Sequence, residues 1–245
     1  MHKFAVFLVI FPICYWLQAQ RLPDQVYMPA IKTVKLFQQN NQQSLPVLTL
    51  NSTDQLELHF DDMIGYARNY YYTYILCNAD WTPADVNVFD YIRGFTQNRL
   101  SQYRISSYTS SKYVHYQALL PERNCIPFKS GNYLLMVYLD ADTAKPAFTR
   151  RMLIVDNKVG IGAQVQQPFD NELLRTHQKI QFSVNTRELN VLSPQQTSVV
   201  VLQNNRWDDA VKNIQPSFIR NKVLEYNGEQ DCVFSAGKEY RWADL

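Results

Sequence analysis

The chain has 245 residues, of which 46% are hydrophobic, 19% are charged and 13% are aromatic. This is the composition of an ordinary globular protein with enough apolar side chains for a core, and the length favours two domains. The formal net charge is +2 and the basic residues are scattered, so nothing in the sequence predicts binding to nucleic acid.

The first segment is a short basic start followed by an apolar run. Lys3 precedes residues 4–17, which are almost all apolar, and the small residue Ala19 follows them. The run is shorter than the roughly 20 residues that a membrane-spanning helix needs. It also lacks the polar residues at helical spacing that a buried core helix would carry. We therefore predict a signal peptide over residues 1–19, cleaved near Ala19 or Gln20, and export to the periplasm.

The dominant period along the rest of the chain is two, which is typical of β-strands. Short strands are predicted at 31–37, 45–50 and 55–60. The stretch NYYYTYILCNADW, residues 69–81, then predicts a strand in which Tyr70, Tyr72 and Tyr74 share one face. Its other face is also substantially apolar, which is typical of a central strand of a sandwich. The second face, with the loop that follows, is a candidate contact surface.

The residues after this strand predict a buried tryptophan and a short helix. Trp81 follows the strand and its turn directly, so its ring is expected to close the end of the sandwich core. Thr82, Pro83 and Asp85 are typical of a helix start, because they supply a capping hydroxyl, a proline at the first helical position and an early acidic residue. In such a helix one face would carry Val86, Phe89 and Ile92, and Gly94 would end it.

Further strands complete two predicted domains. Strands at 113–121, 130–140 and 148–156 indicate an immunoglobulin-like β-sandwich over residues 26–157. Segments at 159–165, 177–186, 197–205 and 217–226 predict a second β domain over residues 158–245. The sequence stops at KEYRWADL without a closing turn, so this second domain is predicted to be truncated. The expected fold class is all-β.

Three cysteines remain after the predicted signal peptide, namely Cys77, Cys125 and Cys232. An odd number leaves at least one cysteine without a partner inside the chain. Cys77 and Cys125 could form a disulfide in an oxidising compartment. Cys77 also ends an apolar strand, so the sequence is equally compatible with a small buried hydrophobic residue.

Motifs of catalysis are missing from the sequence. It contains no G-x-S-x-G, no H-E-x-x-H, no phosphate-binding glycine loop and no paired C-x-x-C. The HFDD stretch, residues 59–62, offers an imidazole and carboxylates to a metal, but the end of a strand explains it equally well. His115 is expected to be a hydrogen-bonded strand residue, and His177 has no evident catalytic partner. We therefore expect no catalytic residues, no cofactor and no metal.

Several blocks together resemble the plug protein family of the type IX secretion system, from about Tyr27 to Leu245. They follow the order of the family, and no single block is specific alone. Leu76 and Met152 depart from the family pattern, as does the final KEYRWAD. The matching positions are Cys77, Asn78, Asp80, Trp81, Tyr91, Gly94, Phe95, Tyr113, His115, Tyr116, 130–133, Arg150, Arg151, Gln203, Asn204, Arg206 and Trp207.

The resemblance implies a periplasmic protein, not an enzyme, that caps the outer-membrane translocon β-barrel of the type IX secretion system. Its partner would be that barrel, with no nucleic acid and no small-molecule substrate. Residue type and loop context suggest Tyr91, Arg93, Phe95 and Arg104 as partner-binding residues. The alternatives are an exported carbohydrate-binding or adhesive β-sandwich and a hydrolase whose catalytic groups converge without a sequence motif.

Overall fold

A computed structural model of the chain describes residues 22–189, 191, 193 and 196–237. The predicted signal peptide and the KEYRWADL segment lie outside the described residues. The chain divides into two compact units, with the division between Val155 and Asp156. No α-helix occurs in the described part of the chain, and it has no helix long and apolar enough to cross a membrane.

The described residues of the first unit form eleven short strands and one turn of 3₁₀-helix at Val88–Asp90. The strands are β1 (Ile31–Gln38), β2 (Val47–Thr49), β3 (Leu56–Asp62), β4 (Tyr70–Cys77), β5 (Ile92–Gly94), β6 (Asn98–Arg99), β7 (Tyr103–Ile105), β8 (Val114–Leu120), β9 (Cys125–Pro127), β10 (Gly131–Leu139) and β11 (Pro146–Val155).

These strands form the predicted immunoglobulin-like sandwich. One sheet has the order β1-β3-β8-β7 and the other has the order β2-β11-β10-β4-β6. The first sheet corresponds to the ABED sheet of an immunoglobulin domain, and β4, β10 and β11 correspond to the C, F and G strands. All pairs are antiparallel except β2 with β11, and β5 with β9 forms a separate two-stranded sheet. The predicted fold class is confirmed.

The tyrosine-rich strand β4 is a central core strand. It pairs along its whole length with β10 and at its start with β6. Tyr70, Tyr72 and Tyr74 are completely buried in the core between the sheets. Tyr71 and Ile75 on the opposite face are half-buried. The main role of the tyrosines in β4 is therefore to build the core, as the two-face pattern predicts.

Trp81 is buried, as predicted, but its backbone has an unusual conformation. Its ring is 4% exposed, and the Arg151 guanidinium lies over it at 5.0 Å from the ring centre. Its φ angle of +69° falls in the left-handed region, which bulky residues rarely adopt. The turn is held by hydrogen bonds from the Trp81 and Thr82 amides to the Asn78 carbonyl and the Asp80 carboxylate.

The predicted helix over 82–94 is wrong. The segment contains a single 3₁₀ turn, capped by the Asn87 side chain, and then enters β5. Ile92 is buried and pairs with Pro127, whereas Phe89 is 70% exposed, so the predicted helical face does not exist. Pairing between β5 and β9 outweighs the local helix-start signals, because capping residues contribute only about 1 kcal/mol.

The second unit is a separate antiparallel sheet. Its strands are β12 (Gly160–Gln166), β13 (His177–Asn185), β14 (Phe218–Arg220), β15 (Val223–Tyr226) and β16 (Val233–Ser235). Their order is β12-β13-β15-β14, and β16 also pairs with β13. A small core contains Phe182, Val184, Leu224 and Tyr226. The predicted strand at 197–205 is wrong, since this stretch has only an isolated bridge between Val201 and Val211.

The three cysteines that the structure describes are free and buried, so Cys77 and Cys125 form no disulfide. Burial raises the pKa of Cys77 to about 11 and that of Cys125 to about 12. Both thiols therefore stay protonated at neutral pH and act as small hydrophobic residues.

Candidate functional site

Two loops emerge side by side at one end of the first unit. The last residue of β3, Asp62, and the last residue of β7, Ile105, both pair with Val114 at the start of β8. The β3–β4 loop therefore lies next to the β7–β8 loop. The two loops approach closely at Gly65 and Lys112. A Cβ atom added to Gly65 would lie only 3.0 Å from the Cβ of Lys112.

These two loops, together with the last residue of β7, expose large apolar side chains. We call this group the loop surface, and it consists of Met63, Ile64, Tyr66, Ile105 and Tyr108. Tyr66 is 63% exposed, Ile105 is 58% exposed and Tyr108 is fully exposed. Several large apolar side chains exposed on neighbouring loops are a feature of interaction sites. Tyr and Met are also enriched at protein interfaces, so the loop surface is a candidate protein-binding site.

A buried carboxylate holds the base of the loop surface. Asp62 has no exposed area, and its Oδ2 accepts hydrogen bonds from Arg68 Nε at 2.6 Å and from the Tyr70 hydroxyl at 2.9 Å. Its Oδ1 accepts the Ile64 backbone N–H at 3.1 Å. The carboxylate thus connects both ends of the β3–β4 loop and orders it before any partner binds, which lowers the entropic cost of binding.

The two side chains that donate to Asp62, Arg68 and Tyr70, both have raised pKa values. Burial of Arg68 opposes its charge, but its hydrogen bond to Asp62 and the attraction to that carboxylate outweigh this and raise its pKa. Burial also raises the pKa of Tyr70 far above its ordinary value, so its hydroxyl remains a donor. Tyr116 fixes Arg68 further, because its hydroxyl accepts the Arg68 N–H at 2.7 Å and donates to the Arg68 carbonyl at 2.9 Å.

The structure separates the four residues expected to bind the partner. Tyr91 is buried in the core and packs against Tyr133, so it offers no exposed ring; the exposure assumed for it is wrong. Arg93 lies over the ring of Phe128 and Phe95 is 64% exposed, both near the β5–β9 pair. Arg104 lies on β7, directly before Ile105 of the loop surface.

The histidine and carboxylate candidates form hydrogen bonds on the sheet. His59 Nδ1 lies 3.1 Å from His115 Nε2, and His115 Nδ1 lies 2.7 Å from an Asp61 oxygen. His115 is thus a hydrogen-bonded strand residue, as expected. His177 lies 3.4 Å from the Ser235 hydroxyl. No group of three or more side chains that could hold a metal occurs among the described residues.

A family model matches the sequence of the first unit. The model of the type 9 secretion system plug protein 1st domain matches residues 31–156, which cover the sandwich and both loops of the loop surface. The chain belongs to the type IX secretion system plug protein family. This confirms the resemblance found in the sequence blocks. A comparison with curated proteins gives no match.

A solved structure supports the fold of both units. The chain is similar to a hypothetical protein from Parabacteroides merdae ATCC 43184, whose crystal structure was determined at 2.30 Å resolution. The sequence identity is 30%, the TM-score is 0.83, and the match covers 90% of this chain. The chain spans 56% of the length of that protein.

Family membership relates the chain to type IX secretion and suggests a location in the cell envelope. The plug family is not a family of enzymes.

The sequence blocks that carry the resemblance did not point to the loop surface. The available signal was the apolar run around Gly65 in MIGY, residues 63–66, because loops between strands are ordinarily polar.

Proposed function

We propose that this chain caps the periplasmic opening of the outer-membrane translocon β-barrel of type IX secretion, by binding and without catalysis. The family match over residues 31–156 carries the proposal. A predicted signal peptide over residues 1–19 supports the periplasmic location.

A cap of this kind answers a physical need. The diameter of a β-barrel grows with its number of strands, and the largest known single-chain barrels have about 36 strands. An opening wide enough for folded cargo lets small solutes leak across the outer membrane. A protein that binds the opening reversibly closes it without chemistry.

The loop surface is the part of the first unit that we assign to the barrel. Its side chains are apolar and aromatic, and the exposed basic residues Arg104 and Lys112 flank it. Buried aromatic anchors with a polar rim are the usual energetic centre of an interface. The buried Asp62 network supplies a rigid base for these side chains.

Two double variants compare this surface with the other exposed candidate. The chromosomal gene is replaced by a tagged copy carrying Tyr66→Ser and Tyr108→Ser, or by one carrying Arg93→Ser and Phe95→Ser. All four side chains are exposed, so both variants keep the core. The translocon barrel is then purified from membranes, and the amount of tagged chain recovered with it is measured.

We expect the wild-type chain and the Arg93/Phe95 variant to be recovered with the barrel. The amount of the Tyr66/Tyr108 variant recovered with the barrel is expected to fall at least about tenfold, because the two aromatic anchors each contribute about 1–2 kcal/mol of binding free energy. Recovery of the Tyr66/Tyr108 variant with loss of the other one would place the contact near β5. Absence of the wild-type chain from the barrel, together with glycan binding on an array, would favour the carbohydrate-binding alternative.

A further inference from the structure

Two histidines on neighbouring strands of the first unit face each other on the outer side of the β1-β3-β8-β7 sheet. His59 lies on β3 and His115 lies on β8, and the Nδ1 atom of His59 is 3.1 Å from the Nε2 atom of His115. Their sequence neighbours Leu58, Phe60 and Tyr116 belong to the core, so the two imidazoles point away from it. The side chains of the histidines are 27% and 33% exposed, which lets a solute ion reach both rings.

A carboxylate lies on the far side of each imidazole. The Nδ1 atom of His115 is 2.7 Å from Oδ1 of Asp61, and the Nε2 atom of His59 is 3.5 Å from Oε2 of Glu57. An ionised carboxylate accepts hydrogen bonds and donates none. Each far nitrogen therefore carries the proton of its ring. In a neutral imidazole the other nitrogen then has a lone pair, and here that nitrogen is the one that faces the second histidine.

Two lone pairs at this separation repel each other unless a cation lies between them. An additional proton on one ring satisfies this requirement by forming a hydrogen bond between the two facing nitrogens. A metal ion satisfies it as well. At the usual distance of about 2.0–2.1 Å from each nitrogen, an ion that binds both atoms across 3.1 Å forms an N–metal–N angle of roughly 100°. This angle lies between those of square-planar and tetrahedral coordination.

The surroundings of the pair fix the orientation of both rings. Phe37 stacks on His59 with 5.6 Å between the ring centres and 6° between the planes. Asp61 pairs directly with His115 in the ladder between β3 and β8. Histidines that bind metals usually donate their other ring N–H to a carboxylate, which fixes the tautomer and increases the basicity of the ligand. Asp61 and Glu57 occupy those positions here.

The cationic side chains nearest in the sheet leave the site accessible to a cation. Lys35 of β1 pairs with His59, and Arg104 of β7 pairs with His115. Both side chains are exposed, so water and salt screen their charges. The two carboxylates contact the imidazoles directly and offset the charge of a bound ion at short range.

We propose that His59 and His115 together bind one divalent transition metal ion of the class of Zn²⁺, Ni²⁺ and Cu²⁺. The ion replaces the proton between the facing nitrogens, and that proton passes to solvent. Groups of three or more metal-ligating side chains do not occur in the described ranges, so water completes the coordination shell. Asp61 and Glu57 are positioning residues and not ligands. The bound ion links β3 to β8, and the proposal does not depend on the proposed function of the chain.

Titration of the purified, untagged chain with Zn²⁺ tests the site. Isothermal titration calorimetry in metal-free buffer measures the stoichiometry and the affinity. Mg²⁺ is the control ion, because it prefers oxygen ligands. We expect one Zn²⁺ ion to bind per chain and Mg²⁺ to give no binding heat. The urea midpoint of the first unit is expected to rise with Zn²⁺, because the paired nitrogens come together only in the folded chain.

Four variants distinguish the histidine pair from an adventitious site. His59→Gln and His115→Gln each remove one ligand, and each is expected to weaken Zn²⁺ binding at least about tenfold, because the second nitrogen binds at a high effective concentration. Asp61→Asn is expected to weaken it about tenfold, the usual effect of losing the carboxylate behind a histidine ligand. His177→Gln changes a histidine of the second unit and is expected to change the affinity by less than about twofold. Urea unfolding without metal verifies that each variant is folded.

A spectroscopic measurement on the unsubstituted chain counts the ligands directly. Cu²⁺ binds nitrogen ligands more tightly than Zn²⁺ does, and its electron paramagnetic resonance spectrum shows the coupling to each coordinated nitrogen. We expect coupling to two imidazole nitrogens. Coupling to one nitrogen, no binding of Zn²⁺, or equal affinity of the His59 and His115 variants and the wild-type chain would each overturn the proposal. Loss of binding in the His177 variant alone would mean an adventitious ion only.

Discussion

Trp81→Ala removes the ring that closes one end of the first unit's core. The ring is 4% exposed and contacts the Arg151 guanidinium. Loss of a buried tryptophan costs about 3–5 kcal/mol of the free energy of unfolding. For a unit of this size that corresponds to a fall in melting temperature of roughly 10–15 °C. An exposed aromatic residue in the same segment, Phe89, supplies the control, because Phe89→Ala is expected to change stability by less than about 0.5 kcal/mol.

The backbone at Trp81 makes the prediction sharper. Its φ of +69° costs a residue with a Cβ atom about 1–2 kcal/mol, and glycine avoids that cost. Trp81→Gly is therefore expected to be no less stable than Trp81→Ala, although glycine is usually the more destabilising change. Urea unfolding followed by far-ultraviolet circular dichroism measures all three variants. A Trp81→Ala protein with an unchanged midpoint and lost partner binding would show that Trp81 is a contact residue.

Three further changes test other parts of the structure. Gly94→Ala is expected to destabilise the first unit by about 2 kcal/mol or more in urea unfolding, because φ is +92° and the new Cβ would lie 2.3 Å from the Asn124 carbonyl oxygen. A neutral effect would contradict this close approach of β5 to Asn124. Asp62→Asn is expected to cost about 3–5 kcal/mol, since it leaves Arg68 without its buried partner, and a smaller loss would mean that the pair is solvated. Burial of the Cys77 and Cys125 thiols raises their pKa values, so their contribution to stability is fully present below the ordinary thiol pKa of about 8.5. This contribution falls as the pH rises from there towards 11, because in that range the thiols ionise in the unfolded chain and not in the folded chain. Equal urea midpoints at pH 7 and pH 10 would contradict this.

The sequence predicts those elements whose side-chain pattern repeats over several residues. The alternation in β4 identified a central strand with two covered faces, and the structure places Tyr70, Tyr72 and Tyr74 in the core. Trp81 was predictable as a buried residue, because it follows such a strand at a turn. Its left-handed backbone was not, since no glycine or asparagine marks that position.

Short elements depend on partners that are distant in the chain. The segment 82–94 has helix-start residues, but Ile92 is used in pairing with β9, more than 30 residues later. Tyr91 reaches the core for the same reason, so its ring is not exposed. Residues 197–205 show the reverse case, in which the alternation is present and a pairing strand is not described. The loop surface arises where the β3–β4 and β7–β8 loops meet, a proximity that only sheet order reveals.

The most direct test of the central claim is the permeability of the outer membrane in a strain that lacks this gene. The measurement is sensitivity to an antibiotic too large for ordinary porins. A cap on the translocon barrel predicts that the deletion strain becomes sensitive. The wild-type gene and the Arg93/Phe95 variant restore resistance, and the Tyr66/Tyr108 variant does not. A deletion strain that excludes the antibiotic as well as the parent strain would contradict the account.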